Sequence, residues 1–248
     1  DVCSSDLANK QGRIAADHIC GRRSAYTGAL GTSVLKLFDL TAASTGLNEK
    51  QARAAGVAYD KVVTYSASHA SYYPGARNMT VKTLFDPASG RILGAQIVGF
   101  DGVDKRMDVL AAAIRAGLTA EQLTELDLAY APPYGSAKDP VNMAGYVIEN
   151  VRAGLVEQHH WDVVAELPAD GSVILLDVRT PGEVRKQGLL RSDALHIPLD
   201  ELRGRLGELD KGKKVYVNCY SGLRSYLACR ILSQHGFRCS NLSGGWRF

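Results

Sequence analysis

The sequence predicts two modules of different class. The first is an α+β layer, with helices on one face of an antiparallel sheet; the second is a small α/β domain with a parallel sheet. Three observations carry this. A length of 248 residues is long for one compact domain and ample for two. The apolar runs at 79–86 and 91–100 flank Pro87-Ala88-Ser89-Gly90, a strong hairpin signal. After residue 160 the pattern changes, and short apolar strands alternate with helical segments.

Taken in order, residues 8–22 have the apolar spacing of one helix (Ile14, Ala15, His18, Ile19), with Gly21 as its stop. Residues 32–41 read as a strand, 48–56 as a short helix and 61–69 as another strand, ahead of the hairpin. Residues 104–117 have helical periodicity, with acidic residues in the opening turn and Gly117 at the end. A second helix is expected over 119–126, with Thr119 as its cap, and a third over 139–152. Hairpin strands followed by helices imply the α+β layer. The pattern breaks at Ala153, and 154–160 is expected to be a linker. Beyond it come a strand at 173–178, a helix at 181–187, a helix at 199–206, a strand at 214–218, a helix at 222–236 and a strand at 239–242. There is no internal repeat, no low-complexity segment and no G-x-G-x-x-G after a strand.

Composition narrows the partners. The chain is 46% hydrophobic and 22% charged, and a net charge of +3 is too small and too evenly spread to argue for nucleic acid or a membrane surface. Neither is expected as a partner. Apolar runs such as 92–100 are of strand length and fall short of the ~20 residues needed to span a bilayer. Five irregularly spaced cysteines (Cys3, Cys20, Cys219, Cys229, Cys239), with no C-x-x-C pair and no Cys/His zinc spacing, suit individual thiols in a reducing cytoplasm, and no metal is expected. The opening "DVCSSDL" at 1–7 has no Met and no signal-peptide character. It is expected to be a translated sequencing adapter, since GAC GTG TGC TCT TCC GAT CT encodes it directly, which makes Cys3 an expected artefact.

The chemistry concentrates at "VNCYSGLRS", residues 217–225. Cys219 stands just past the apolar strand Val215-Tyr216-Val217, where open α/β sheets place their sites. Tyr220, Ser221, Gly222 and Leu223 wrap from it into the start of a helix, whose free N–H groups and positive dipole end favour a thiolate. Gly222 permits the tight path, Arg224 adds positive charge and Ser225 offers a hydroxyl. A buried packing cysteine would not require this surrounding set.

The run Cys219 to Ser225 resembles the C-x-x-G-x-R-S active loop of single-domain rhodaneses. Asp177-Val178-Arg179 with Pro181 and Glu183 is similar to the family's D-V-R-x-P-x-E, and "HIPLDELRGRL" at 196–206 and "NLSGGW" at 241–246 extend the likeness over about 155–248. Gly188-Leu189-Leu190 departs from the family's usual G-H-I. The resemblance implies that Cys219 carries sulfane sulfur as a persulfide, with Arg224 as its catalytic partner, and passes it to a thiophilic acceptor. Asp177 and Arg179 are expected to support the loop, and Cys229 and Cys239 to be packing residues. Phosphate chemistry is the rival, because phosphatases of this fold use the same cysteine. Their loops place the arginine one residue further on, and the four residues between Cys219 and Arg224 suit one sulfur better than a tetrahedral phosphate.

In the first module, "HASYYPGARNMTVKTLFDPASGRILGAQIVG" at 69–99 and "YAPPYGSAKDPVNMAGYVIEN" at 130–150 resemble the dimerisation domain of pyridine nucleotide-disulfide oxidoreductases, over about 31–153. The segment 8–30 is similar to the end of their FAD domain, through the helix whose N-terminus faces the flavin. Joined to a rhodanese domain at 161–248, this pairing resembles the rhodanese-fused coenzyme A disulfide reductases, also described as persulfide or polysulfide reductases. The resemblance implies a homodimer through 31–153 and FAD, NAD(P)H and coenzyme A for the intact enzyme. It also implies small sulfur donors (persulfide, polysulfide, thiosulfate) as substrates, and a chain that is the C-terminal part of such an enzyme, without its reductase centre. Tyr72 and Tyr130 match positions that reach across the dimer to the partner's substrate thiol, with Tyr73 and Tyr134 as alternatives of register. Lys10, Gln11 and Gly12 are expected to border the flavin. The competing expectation is a sulfur-relay or binding module on a dimer-forming scaffold.

Overall fold

The computed structural model describes residues 4–247; Cys3, with the rest of the opening three residues of the expected artefact, and Phe248 lie outside the described residues. The chain divides into two compact units, Asp1–Lys61 with Ser66–Gly145 and Val62–Tyr65 with Tyr146–Phe248. Among the described residues no helix is long and apolar enough to cross a membrane.

The first sheet contains β1 (Ser33–Leu37), β2 (Leu40–Gly46), β3 (Asp60–Ala67), β4 (Asn78–Phe85) and β5 (Ile92–Gly99), in the order β1-β2-β5-β4-β3. The expected hairpin is present: β4 and β5 pair antiparallel from Thr80↔Val98 to Phe85↔Ile92, with a bulge between Leu84 and Phe85. The strand expected over 32–41 is instead two strands, β1 and β2, paired from Ser33↔Ser44 to Leu37↔Leu40. Phe38 turns the chain at φ 51, without a glycine to announce the turn, which is why the apolar run reads as continuous.

The helices of this unit begin with α1 (Ser4–Ile19), which starts inside the stretch expected to be foreign. The short α2 (Glu49–Ala54) is capped by Asn48 and Gln51 in a reciprocal box. The helix α3 (Val103–Ala116) lies on β2 and β5 and ends at Gly117 in the left-handed conformation. The expected cap at Thr119 forms a box with Gln122 on α4 (Ala120–Thr124). It is followed by α5 (Pro140–Arg152). Gly145 lets α5 approach closely, because a Cβ there would meet the Ala120 carbonyl oxygen at 2.8 Å. Met79, Val81, Ile97, Met107, Leu110, Leu123 and Val141 are buried in this layer.

The second unit has a wholly parallel sheet of β6 (Glu157–His159), β7 (Val173–Asp177), β8 (Leu195–His196), β9 (Lys214–Asn218) and β10 (Cys239–Leu242), in the order β6-β10-β9-β7-β8. The linker expected at 154–160 is corrected here, since Glu157–His159 pairs with Ser240–Leu242 as an edge strand. Three residues are too few to show a period in the sequence, and β8 escaped notice for the same reason.

Around this sheet run α6 (Trp161–Val164), α7 (Pro181–Gln187) and α8 (Leu223–Gln234). The helix expected over 199–206 is two 3₁₀ turns, Leu202–Gly204 and Leu206–Glu208, closed by bonds such as Gly204 N–H to the Glu201 carbonyl. Gly204 and Gly207 interrupt any longer helix. Leu176, Val178, Ile197, Leu202, Val215, Val217, Ala228 and Leu232 form the core.

The edge strand predicts an acid sensitivity. His159 is buried; burial foremost, then the charges of His160 and Lys214, pushes its pKa down to about 4 from 6.5. The unfolded chain therefore takes up a proton that the folded chain refuses. Stability of this unit should fall as pH drops from 6.5 towards 4, by at most about 3 kcal/mol from this group. Urea unfolding at pH 7 and pH 4.5 checks this, and His159→Gln is expected to flatten the slope.

Candidate active site

The parallel sheet places its strand ends together at one edge, and the loop residues follow from them. β9 ends at Asn218 and Cys219 comes next; β7 ends at Asp177; β10 ends at Leu242 and leads into Ser243-Gly244-Gly245. Cys219 is fully buried, and its Sγ accepts two hydrogen bonds, from the Gly222 N–H at 3.1 Å and from Ser225 Oγ at 3.2 Å. Ser225 Oγ also lies 3.1 Å from the Gly222 carbonyl oxygen. Gly222 holds φ 99 just before α8, so its N–H turns back onto the sulfur. Two donors and a helix start converge on one sulfur atom, an arrangement that stabilises negative charge there. Tyr220 and Ser221 are half-buried, and Leu223 is exposed on the outer rim.

Arg224, in the first turn of α8, is paired with a carboxylate. Its guanidinium makes a bidentate pair with Glu183, Nη1 to Oε2 at 2.7 Å and Nη2 to Oε1 at 2.6 Å. The same Glu183 closes a capping box with Thr180 at the start of α7, so the carboxylate is held from two sides. The Arg224 hydrogen bond foremost lowers the Glu183 pKa to about 2, and Glu183 in turn raises that of Arg224. In the sequence Glu183 stands out only as part of the Asp177-to-Glu183 motif. Its grip on Arg224 has no signal in sequence spacing, because the two residues lie 41 positions apart.

Asp177 and Arg179 are completely buried and form a bidentate pair, with Nη2 to Oδ2 at 2.6 Å and Nε to both oxygens at 3.0 Å. Arg179 also donates to Gln187 Oε1 and to the Gly188 carbonyl, and stacks on the Trp246 ring at 4.1 Å. Asn218 Nδ2 donates to Asp177 Oδ2 at 3.2 Å, which joins the end of β7 to the residue before Cys219. His196 Nε2 lies 2.8 Å from the Arg179 carbonyl oxygen. Through Asn218 the pair is joined to the residue before Cys219, whose sulfur is hydrogen-bonded by Gly222 and Ser225.

The "NLSGGW" segment closes over the loop backbone. The Trp246 N–H donates to the Cys219 carbonyl at 2.8 Å and the Arg247 N–H to that of Tyr220 at 3.2 Å. Gly245 has φ 60, and a Cβ there would lie 2.5 Å from the Cys219 carbonyl oxygen. Cys229 is buried in the core; Cys239 is half-buried, with Ser233 Oγ at 3.4 Å and its own thiol directed to the Cys229 carbonyl at 3.4 Å. The contact between the two thiols, foremost, lowers the Cys239 pKa and raises that of Cys229.

In the first unit Tyr72 and Tyr130 meet, their hydroxyls 3.3 Å apart on an exposed surface. Tyr73 instead packs edge-on against His69. The loops that carry the two tyrosines are tied by Ala70 N–H to the Pro132 carbonyl. They are anchored by buried Arg106, which bonds Asp139 at 2.8 Å and the Ser68 carbonyl at 3.0 Å. Hydrogen bonding with Tyr72, foremost, raises the Tyr130 pKa, so the phenol keeps its proton as a donor. Lys10, Gln11 and Gly12 lie exposed in the middle of α1.

The packing at Gly245 generates a prediction. Gly245→Ala should destabilise this unit by about 2–4 kcal/mol, through a positive φ and contact with backbone that has nowhere to move. It should also loosen the Cys219 loop. Chemical unfolding measures the first, and the rate of Cys219 alkylation, expected to rise, measures the second.

Comparison with known proteins places the chain among sequence and structural relatives. Residues 32–140 match the pyridine nucleotide-disulphide oxidoreductase dimerisation domain and residues 160–247 the rhodanese-like domain. Coenzyme A disulfide reductase of Staphylococcus haemolyticus is 41% identical over 140 residues, 56% of this chain and 31% of that protein. The Staphylococcus aureus enzyme (strain Newman) is 39% identical over the same length, covering 56% of this chain and 32% of that protein. Among solved structures, reduced Bacillus anthracis CoADR-RHD superposes with a TM-score of 0.92 at 47% identity, over 97% of this chain and 43% of that one. A NAD-dependent persulfide reductase from A. fulgidus does so with a TM-score of 0.85 at 42% identity, over the same shares. The chain thus spans about a third of these curated relatives and under half of the solved chains. It carries a match to the pyridine nucleotide-disulphide oxidoreductase dimerisation domain followed by a match to the rhodanese-like domain, and over 97% of its length it is similar to Bacillus anthracis CoADR-RHD.

Proposed function

We propose that Cys219 is the nucleophile of a sulfur-transfer site. The observation that carries this reading is the pair of donors, Gly222 N–H and Ser225 Oγ, directed at the Cys219 sulfur from the start of α8. In the proposed step the Cys219 thiolate attacks the outer sulfur of a persulfide R–S–SH. The S–S bond of the donor breaks, R–S⁻ leaves, and Cys219–S–SH forms with no net change in oxidation state. A thiophilic acceptor such as cyanide then removes the outer sulfur as thiocyanate and restores the thiolate. Gly222 and Ser225 hold the negative charge on the attacking sulfur, and the loop N–H groups hold it on the persulfide.

The wider activity is proposed from the relatives. The chain serves a homodimeric coenzyme A disulfide or persulfide reductase that works with FAD and NAD(P)H in the cytoplasm, where free thiols such as these four persist. Residues 31–153 form the dimer surface and 161–248 the rhodanese domain. Tyr72 and Tyr130 fit a coenzyme A thiol, since two exposed phenols 3.3 Å apart can both donate to one sulfur. Lys10, Gln11 and Gly12, exposed on α1, border the flavin once the FAD domain is present.

Two outcomes are expected. After exposure to polysulfide, the peptide holding Cys219 gains ~32 Da, as sulfur capture at a nucleophilic thiolate requires. Cyanide releases thiocyanate from the chain and none from Cys219→Ala; equal release from both ends the sulfur-transfer reading. In the intact homodimer, Tyr130→Phe should raise KM for coenzyme A persulfide about three- to tenfold, the cost of one hydrogen bond to a charged sulfur. NAD(P)H oxidation measures it, and an unchanged KM removes Tyr130 from the substrate site.

A further inference from the structure

We infer that Glu183 sets the sulfur-donor selectivity of the loop, by neutralising Arg224 and so disfavouring donors that carry a second, sulfonate-type negative charge. This deepens the sulfur-transfer reading and rests on it.

The loop has one charged residue. Tyr220, Ser221, Gly222, Leu223 and Ser225 are uncharged, so Arg224 is the loop's own cation for drawing an anionic group towards the buried sulfur. Both ends of its guanidinium fork are already taken by the two oxygens of Glu183, at 2.6 and 2.7 Å. Glu183 does not give way easily, because Thr180 N–H and Thr180 Oγ1 hold the same carboxylate oxygen at 2.9 and 2.8 Å. With a pKa of about 2, it remains charged at every working pH.

The consequence differs between two donors that deliver the same sulfur atom. Thiosulfate transfers its sulfane sulfur and releases sulfite, so Cys219–S⁻ and S–SO₃²⁻ become Cys219–S–S⁻ and SO₃²⁻, and its sulfonate oxygens must be held by a cation throughout. Here that cation belongs to a neutral pair. An alkyl persulfide R–S–SH asks only that the leaving R–S⁻ and the developing Cys219 persulfide be stabilised, and the Gly222 N–H and Ser225 hydroxyl already do this. Glu183 is therefore a positioning residue: it acts on the donor through Arg224.

The test compares donors in the full chain and in Glu183→Gln, with cyanide as acceptor. Glutamine keeps the shape and can complete the Thr180 capping box, so α7 retains its start. The ratio of kcat/KM for thiosulfate over an alkyl persulfide is expected to rise about five- to tenfold in Glu183→Gln, the size of one charge at a partly exposed pair. The change should lie in the KM for thiosulfate and shrink in high salt. The persulfide value should stay within about twofold, as no charge on that donor faces Arg224. An unchanged or lower ratio overturns the inference while leaving sulfur transfer intact. So does a ratio that moves only with Arg247→Ala, since Arg247 stacks on Tyr220 at 5.4 Å and is the neighbouring cation outside the pair. No Cys219-dependent thiocyanate from either donor overturns both this inference and the sulfur-transfer reading.

Discussion

The buried pair of Asp177 and Arg179 is the contact on which the sulfur site rests. Neither residue is exposed, and in such surroundings a charge without its partner is very costly, so the two enforce one another's position. Through them the end of β7 is tied to the Gln187–Gly188 end of α7, to Trp246 and, by Asn218, to the residue preceding Cys219. The ground beneath the loop is thereby held at several points. Removing one member would strand a buried charge under the loop, which is a larger disturbance than removing a loop side chain.

This support leaves the loop free to be simple. The sulfur is met by one backbone N–H and one hydroxyl, and the nearby arginine is engaged elsewhere. Backbone donors fixed by a helix start need no side-chain reorganisation when charge appears on the sulfur. The Gly245 backbone presses on the loop from the other side, so the Cys219 carbonyl is occupied by Trp246 N–H and the loop cannot collapse inward. The first unit follows the same plan at its tyrosines: buried Arg106 and Asp139 anchor two loops, and the phenols they carry stand in the open.

Where the sequence misled, the cause was local. A hairpin turned by Phe38 carries no glycine, and strands of two or three residues carry no period, so β1 and β2 merged and β6 and β8 vanished into loops. The segment 199–206 has helical apolar spacing, yet Gly204 and Gly207 limit it to 3₁₀ turns. The N-terminal helix was legible from its apolar spacing over residues 8–22 and spans Ser4–Ile19.

By itself the sequence determined the two classes of module, the long strands and helices, and the cysteine at a strand end followed by glycine, arginine and serine. These depend on spacing along the chain, and spacing is what a sequence records. Only the tertiary structure decided what each charge does. Arg224 could have faced the sulfur, but Glu183, 41 residues earlier, reaches it first. Tyr72 finds Tyr130 across 58 residues. Such pairings follow from how the sheets bring strand ends and loops together, and no local pattern encodes them. The "VNCYSGLRS" stretch announced a reactive cysteine; the fold around it decided that its arginine would be a neutralised one.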